Sequence, residues 1–260
     1  MSTFQEIYDA AEKVKVSVIM QVNLEAYPGS RSNAVDKFIR AIESFRNQAY
    51  PLSELIIVSD GCNKAYQLYM KNYKNESNIR FVYFDRTDSP KMYEEIGDGK
   101  YFRGFARGIG VAAATGSLIT YMDSDDYLMP DFTLSCMLYY NASPDMDWWL
   151  NTSWYDHENV VNSNQNITAI VDPNTIENVQ LQEMPGHNLK PMRLQEGKMV
   201  MTPWLLMHRA GLQIKWRDVI SSVVSEDVDF YQRMTNIYKK GTTYSKPTYI
   251  RCHYANHWDI

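Results

Sequence analysis

Ser117-Leu-Ile-Thr-Tyr-Met-Asp-Ser-Asp-Asp126 is an apolar run that ends in three carboxylates within four positions. Leu118, Ile119, Tyr121 and Met122 suit an inner sheet strand, which delivers Asp123, Asp125 and Asp126 together at its carboxyl end. In open α/β sheets, ligands occupy the crevice outside the carboxyl ends of the strands. Like charges gathered there are costly to ionise together unless a cation compensates. Taken alone, the stretch reads equally well as a solvated acidic turn, since Asp-rich turns are common. The surrounding sequence separates the two readings.

Upstream, strand-like and helix-like segments alternate. Val14, Val16 and Val18 run into Ile19, Met20 and Val22 as a first strand. Ala34, Phe38, Ala41, Ile42 and Phe45 share one helical face. Leu55 to Val58 is a short buried strand stopped by Ser59-Asp60-Gly61, a short helix spans Tyr66 to Tyr73, and Ile79 to Phe84 is a third strand. Phe102, Phe105, Ala106, Ile109, Ala112 and Ala113 mark another helix face, with Gly116 expected as its C-terminal cap. This rhythm predicts an α/β fold with a mostly parallel central sheet flanked by helices. Downstream the pattern loosens. A helix is expected over Asp131 to Tyr140, a strand over Trp148 to Tyr155, loops and short strands over 156–203, a helix over Glu226 to Lys239 and a last strand over Tyr244 to His253. No repeat or linker is visible, and one domain over 1–260 is expected.

The 260 residues are 45% hydrophobic and 22% charged, ordinary globular values with ample material for a core. A net charge of -5 without any basic run argues against nucleic acid as a partner. Three scattered cysteines, Cys62, Cys136 and Cys252, show no metal spacing and fit a reducing compartment. The stretch Met1 to Val14 is polar and nothing has the length of a membrane span, so a cytoplasmic protein without a transmembrane segment is expected.

Carboxylates stand at the ends of several of these elements. Asp60 ends the second strand, Asp123 and Asp125 end the fourth, and Glu226-Asp227 open a late helix. Each has a plain structural explanation, an Asp-Gly turn or an acidic first turn. Their convergence on one sheet edge is harder to explain that way. Arg103 and Arg107, one helical turn apart, bring positive charge towards the same edge, either to hold a phosphate or to pair with the aspartates. His253 and His257 lie near the end of the chain, where imidazole with carboxylate oxygens suits manganese. Trp148, Trp149, Trp204 and Trp216 are candidates for lining a ligand pocket, although aromatics are more often core.

Val16-Ser-Val-Ile-Met20, Leu55-Ile-Ile-Val-Ser-Asp-Gly61, Ala106-Arg-Gly-Ile-Gly110, Gly116-Ser-Leu-Ile-Thr-Tyr-Met-Asp-Ser-Asp-Asp126 and Ser225-Glu-Asp-Val-Asp-Phe230 occur in that order. In this the chain resembles the family 2 glycosyltransferases of GT-A fold, chiefly over Lys15 to Pro130. The resemblance implies a nucleotide-binding half over 15–130 and an acceptor-binding half over 131–260. It implies an inverting, metal-dependent transferase of hexosyl type that takes a nucleotide-sugar donor, with UDP the expected nucleotide. Asp60 would meet the base, Asp123 the ribose and its surroundings, and Arg103 or Arg107 base or phosphate. Asp125, with Asp123 and His253 as further ligands, would bind Mn²⁺ or Mg²⁺ at the diphosphate. Asp227 would be the catalytic base, with Glu226 the alternative. The acceptor would be a glycan, a lipid-linked hydroxyl or another hydroxyl, which would allow peripheral association with a membrane. One stretch and one position depart from the family pattern: Gln21-Val-Asn-Leu-Glu25 follows the first strand, and Gly108 replaces the usual Asn.

The chemistry accounts for these groups. A nucleoside diphosphate leaves with growing negative charge, which a divalent ion stabilises, while a carboxylate takes the proton of the attacking hydroxyl. The alternative from another class is a non-catalytic nucleotide- or carbohydrate-binding domain that retains the fold.

Overall fold

The structure, a computed structural model, describes residues 4–24, 34–84, 103–158, 169–171, 179–181, 188–193, 202–217 and 226–252. In chain order the elements are α1 (Phe4–Ala10), β1 (Val16–Val22), α2 (Ala34–Arg46), β2 (Ser53–Asp60), α3 (Asn63–Asn72) and β3 (Ile79–Phe84). Then come α4 (Arg103–Ala113), β4 (Leu118–Asp123), β5 (Tyr127–Leu128), α5 (Phe132–Ala142), β6 (Trp148–Asn151) and β7 (Ser153–Glu158). Short strands β8 (Ala169–Val171), β9 (Val179–Leu181) and β10 (Asn188–Arg193) precede β11 (Leu206–Arg209), α6 (Glu226–Ile237), β12 (Gly241–Tyr244) and β13 (Tyr249–Cys252).

Seven strands form one sheet in the order β12-β6-β11-β4-β1-β2-β3. β4, β1, β2 and β3 are mutually parallel, β12 is parallel to β6, and β11 runs against β4 and β6. The sheet is therefore mostly parallel, as the alternation of elements predicts. Continuous apolar runs such as Leu55 to Val58 suit strands covered on both faces. Successive side chains divide accordingly. Val18, Met20, Leu55, Ile57 and Leu118 pack with Phe38 and Phe45 of α2 and Phe132 and Met137 of α5. Ile19, Ile56, Val58, Ile119 and Tyr121 pack on the other face with Ala106 of α4 and Phe230 and Met234 of α6. Thus α4 and α6 share one face, and strands from both halves of the chain share one sheet.

The strand order reverses direction at β1, with β2 on one side and β4 on the other. Such a switch point opens a crevice beyond the carboxyl ends of the flanking strands, where Gln21 stands opposite Asp123.

Three local expectations are corrected. Phe105 and Ala112 face solvent, because α4 lies on the sheet through Gly104, Ala106, Arg107 and Gly110. A Cβ on Gly110 would come within 2.4 Å of Ile19 Cγ2, so the glycine sets this close approach. Gly116 is not a left-handed helix cap, since among the described glycines only Gly61 and Gly211 have positive φ. It is small because a Cβ there would meet the Lys15 carbonyl and Ser17 hydroxyl at 2.6 Å. Finally, the strands expected over Trp148 to Tyr155 and Tyr244 to His253 each divide in two. β6 and β12 belong to the seven-stranded sheet, whereas β7 and β13 join a four-stranded sheet ordered β10-β7-β13-β5. Pro247, which has no N–H for a ladder, lies in the segment that changes sheets.

At the amino end of the parallel strands Glu54 is almost fully buried and joins four segments. It accepts hydrogen bonds from Ser17 Oγ (2.6 Å), Lys15 Nζ (3.0 Å), and the Thr115 amide (2.7 Å) and hydroxyl (2.9 Å). Arg80 Nη2 stands 3.1 Å away. Burial alone would raise the Glu54 pKa, but the hydrogen bonds outweigh it and lower it from 4.5 to about 2. The stabilisation is therefore complete above pH 4.5 and is lost as pH falls towards about 2. Glu54→Gln is expected to cost ~2 kcal/mol in urea denaturation at pH 7. The variant should also lose less stability than the parent between pH 4.5 and 3.

Candidate functional site

The carboxyl edge at the switch point is organised around Arg107. Its position on α4 turns it under the sheet edge, where it is 4% exposed. Nη1 donates to Glu226 Oε1 at 2.8 Å, and Nη2 lies 3.6 Å from Asp123 Oδ1. With its amide oriented to satisfy both neighbours, Gln21 accepts from Arg107 Nη2 at 3.2 Å and donates to the Arg103 carbonyl at 3.1 Å. The guanidinium carbon stands 5.1 Å from the Trp216 ring centroid, a cation–π contact. Residues from β1, β4, α6 and the segment before α6 thus meet on one side chain.

Glu226 and Asp227 open α6, where carboxylates suit the helix dipole. Burial would push Glu226 up, but the Arg107 charge and hydrogen bond, with the Arg103 charge, outweigh it and hold the carboxyl below its ordinary value. Asp227 Oδ1 accepts from the Val228 amide at 2.8 Å. One turn on, Asp229 is clamped by Arg217 at 2.6 Å and Arg233 at 2.7 Å, which steadies the start of the helix.

The three aspartates after β4 separate by role. Asp126 is buried and faces away from the crevice, accepting from the Tyr249 hydroxyl at 2.7 Å and the Cys252 amide at 2.8 Å. The same Tyr249 hydroxyl accepts from the Asp123 amide at 3.1 Å. Burial, with the charges of Asp125 and Asp123, raises Asp126 well above its ordinary range. Asp126 therefore ties the turn to β13. Asp123 and Asp125 remain part-exposed at the crevice, and Arg40 of α2 donates to the Asp125 carbonyl. Burial raises Asp123 as well, opposed by Arg107 and reinforced by Asp125.

Behind Arg107 a buried relay fixes the ring it rests on. Trp216 Nε1 donates to the Tyr121 hydroxyl at 2.8 Å, and that hydroxyl lies 2.7 Å from His208 Nε2. His208 Nδ1 is 2.8 Å from the Arg209 carbonyl and must carry the proton, so Nε2 accepts from Tyr121. Burial lowers the His208 pKa to about 4, and the ring is neutral at pH 7.

The structure brings together Asp123, Arg107 and Glu226 among the sequence candidates, with Asp125, Arg103 and Asp227 next to them in the chain. Arg103 is exposed, and its charge acts on both Asp123 and Glu226. Asp60 ends β2 at the same edge, paired with Phe84, and Gly61 (φ 67°) makes the turn; the Asp60 side chain lies outside the described part. His253 and His257 lie outside the described residues.

Three of the four tryptophan assignments, Trp149, Trp204 and Trp216, are corrected. Trp149 is fully buried and Trp204 is 3% exposed, stacked on Tyr249 at 4.4 Å, so neither ring has a face to offer a sugar. Trp216 is stacked on Phe230 at 4.0 Å beneath Arg107. Trp148 is half-buried against Tyr231 and donates to the Tyr238 carbonyl at 2.9 Å. Tyr249 and Arg40 were not singled out in the sequence, and Gln21 entered only as the start of the stretch that departs from the family pattern. Only Gln21 carried a signal, as a polar residue at the end of an apolar strand.

Chemically, the crevice offers two carboxylates at the end of one strand, an exposed guanidinium and a carboxylate pair on a helix start. Among the described residues no three His, Cys, Asp or Glu side chains converge as a metal cage. Asp123 and Asp125 nonetheless fit Mg²⁺ or Mn²⁺: they are hard oxygen donors whose mutual repulsion a cation relieves.

No protein-family model matches the chain. Over 98 residues it is 34% identical to the "Putative glycosyltransferase EpsH" of Bacillus subtilis (strain 168), covering 37% of this chain and 25% of that protein. TarS 1-349 of S. aureus superposes with a TM-score of 0.59 at 16% identity, over 92% of this chain and 60% of that one. TarS in complex with UDP-GlcNAc gives the same score. The mannosyltransferase PcManGT from Pyrobaculum calidifontis, in complex with GDP-Man and Mn²⁺, gives 0.55 at 9% identity, over 95% and 59% of the two chains. At these identities the likeness is one of fold, and the fold is the GT-A type. The chain spans a quarter of the curated relative and about 60% of the solved structures.

Tyr249→Phe removes the hydroxyl that joins Asp123 to Asp126 and leaves a buried carboxylate short of a donor. It is expected to cost about 1–3 kcal/mol in urea denaturation. Asp126→Asn should cost less, because its amide oxygen still accepts while the buried charge is gone.

Proposed function

We propose that this protein is an inverting glycosyltransferase that moves a hexosyl group from a nucleotide-diphosphate donor, a UDP-sugar, to an acceptor hydroxyl. The observation that carries the reading is the meeting of Asp123 and Glu226 on Arg107 at the switch-point crevice. The GT-A-type fold supports it, because structures of that fold have been solved with UDP-GlcNAc and GDP-Man.

In this reading Asp60 at the end of β2 receives the base and Asp123 the ribose side of the donor. Asp125, with Asp123 and His253, holds Mn²⁺ or Mg²⁺, which when bound neutralises charge on the departing diphosphate. Arg103, exposed at the first turn of α4, faces the phosphates as a further cation. Asp227 takes the proton from the acceptor hydroxyl. Glu226 is the weaker candidate for that step, since a carboxylate held below its ordinary pKa by Arg107 is a poorer base. A single base acting opposite the leaving group gives inversion at the anomeric carbon. The acceptor side falls to residues 131–260. No helix of the described residues is long and apolar enough to cross a membrane. The three cysteines are free and buried, which fits cytoplasmic work on a glycan or lipid-linked acceptor.

Asp227→Asn is expected to lower donor turnover by about 10²–10⁴-fold while the UDP affinity changes by less than about threefold. Asp125→Ala should lose both. Donor hydrolysis and isothermal calorimetry with UDP and Mn²⁺ distinguish the two effects. Unimpaired turnover in Asp227→Asn would overturn the base assignment.

A further inference from the structure

We infer that Arg107 is a positioning residue for the reaction and not a ligand of the donor phosphates. The inference rests on the glycosyltransferase reading and deepens it. A phosphate ligand must present its donors to the crevice, yet Arg107 is 4% exposed. Its Nη1 is spent on Glu226, and its Nη2 faces Asp123 and the Gln21 amide oxygen. The plane of the guanidinium rests over Trp216, whose own N–H is fixed by Tyr121. Both terminal nitrogens of the fork are thus engaged by the protein, and an aromatic ring lies against the guanidinium.

What the fork controls is the spacing between two working carboxylates that come from different parts of the chain. Asp123 rides on β4 and Glu226 opens α6, 119 residues from Arg107 in sequence. Glu226 is bonded through the backbone to Asp227, so fixing its carboxylate fixes the start of the helix that carries the base. The geometry therefore has one side chain set the distance from the donor aspartates to the base. The reaction depends steeply on such a distance, because attack requires the hydroxyl, the anomeric carbon and the base to be aligned. Lysine cannot substitute: an ammonium is a point charge on a flexible stem, whereas the planar fork spans two carboxylates at once. Arg103 is the contrasting residue, since it is exposed on the first turn of the same helix.

The test compares the wild type with Arg107→Lys, Glu226→Gln and the double variant. Folding is checked by urea denaturation, UDP–Mn²⁺ binding by calorimetry, and kcat and KM by hydrolysis of the UDP-sugar donor. Arg107→Lys and Glu226→Gln should each lower kcat by at least about tenfold and leave donor KM and UDP affinity within about threefold. The double variant should be no worse than about twofold below the poorer single one, because the two residues act as a unit. A merely structural role would reduce stability without this division between kcat and KM. Equal losses in kcat and UDP affinity would make Arg107 a phosphate ligand and overturn the inference, as would additive effects on kcat. If Arg107→Lys does not fold, Glu226→Gln alone carries the same kcat and KM prediction from the more exposed side of the pair. Wild-type protein that neither binds UDP nor cleaves the donor overturns the glycosyltransferase reading and this inference with it. UDP binding with unchanged kcat in both single variants overturns the inference alone.

Discussion

A guanidinium taken out of water must be answered by carboxylates and hydrogen-bond acceptors, or the fold loses several kcal/mol. Arg107 imposes that constraint at the centre of this protein. Its partners are Asp123 at the end of a sheet strand, Glu226 at the start of a late helix and Gln21 on the central strand. To satisfy one buried charge the chain must bring its two halves to the same sheet edge. The crevice at the switch point supplies the opening, and the arginine decides which carboxylates face it.

The opposite end of the parallel sheet is held by the complementary arrangement. There a buried carboxylate, Glu54, is answered by Lys15, Arg80, Ser17 and Thr115. One buried anion at the amino edge and one buried cation at the carboxyl edge fix β1 and β4 at both ends, and β2 at its amino end. Between them the strands need only apolar side chains, and they carry little else. Such a scaffold holds Asp123 at the sheet edge, with Asp125 two residues beyond it.

Much of the first half was legible in the sequence because strands of a covered parallel sheet are rich in apolar side chains. Val16 to Val22, Leu55 to Val58, Ile79 to Phe84 and Leu118 to Met122 stand out in that way, with only Ser17, Gln21, Arg80 and Thr120 interrupting them. The face of α4 was misread for the converse reason. Its fully buried positions are Gly104, Arg107 and Gly110, none of which registers as an apolar stripe, together with the expected Ala106, while Phe105 faces solvent. Trp149, Trp204 and Trp216 looked like ligand platforms because their aromatic character is visible in sequence and their burial is not. The Tyr249 contact with Asp123 spans 126 residues, and no local pattern reveals a partner at that distance. Asp126 looked the same as Asp123 and Asp125 for a similar reason, since only the arrival of β13 separates their roles.

The central claim is that Asp123 and Asp125 form one wall of a metal–diphosphate site in the switch-point crevice. It is tested most directly by the thermal stability of the protein with UDP, GDP, CDP or dTDP, each with Mn²⁺ or with EDTA. A ligand confined to the folded state stabilises it by about 2.7 kcal/mol at a hundredfold excess over Kd. The account predicts a rise in Tm with UDP and Mn²⁺ that disappears in EDTA and in Asp125→Ala. No rise with any of the four nucleotides, or a rise that survives both EDTA and the substitution, would contradict it.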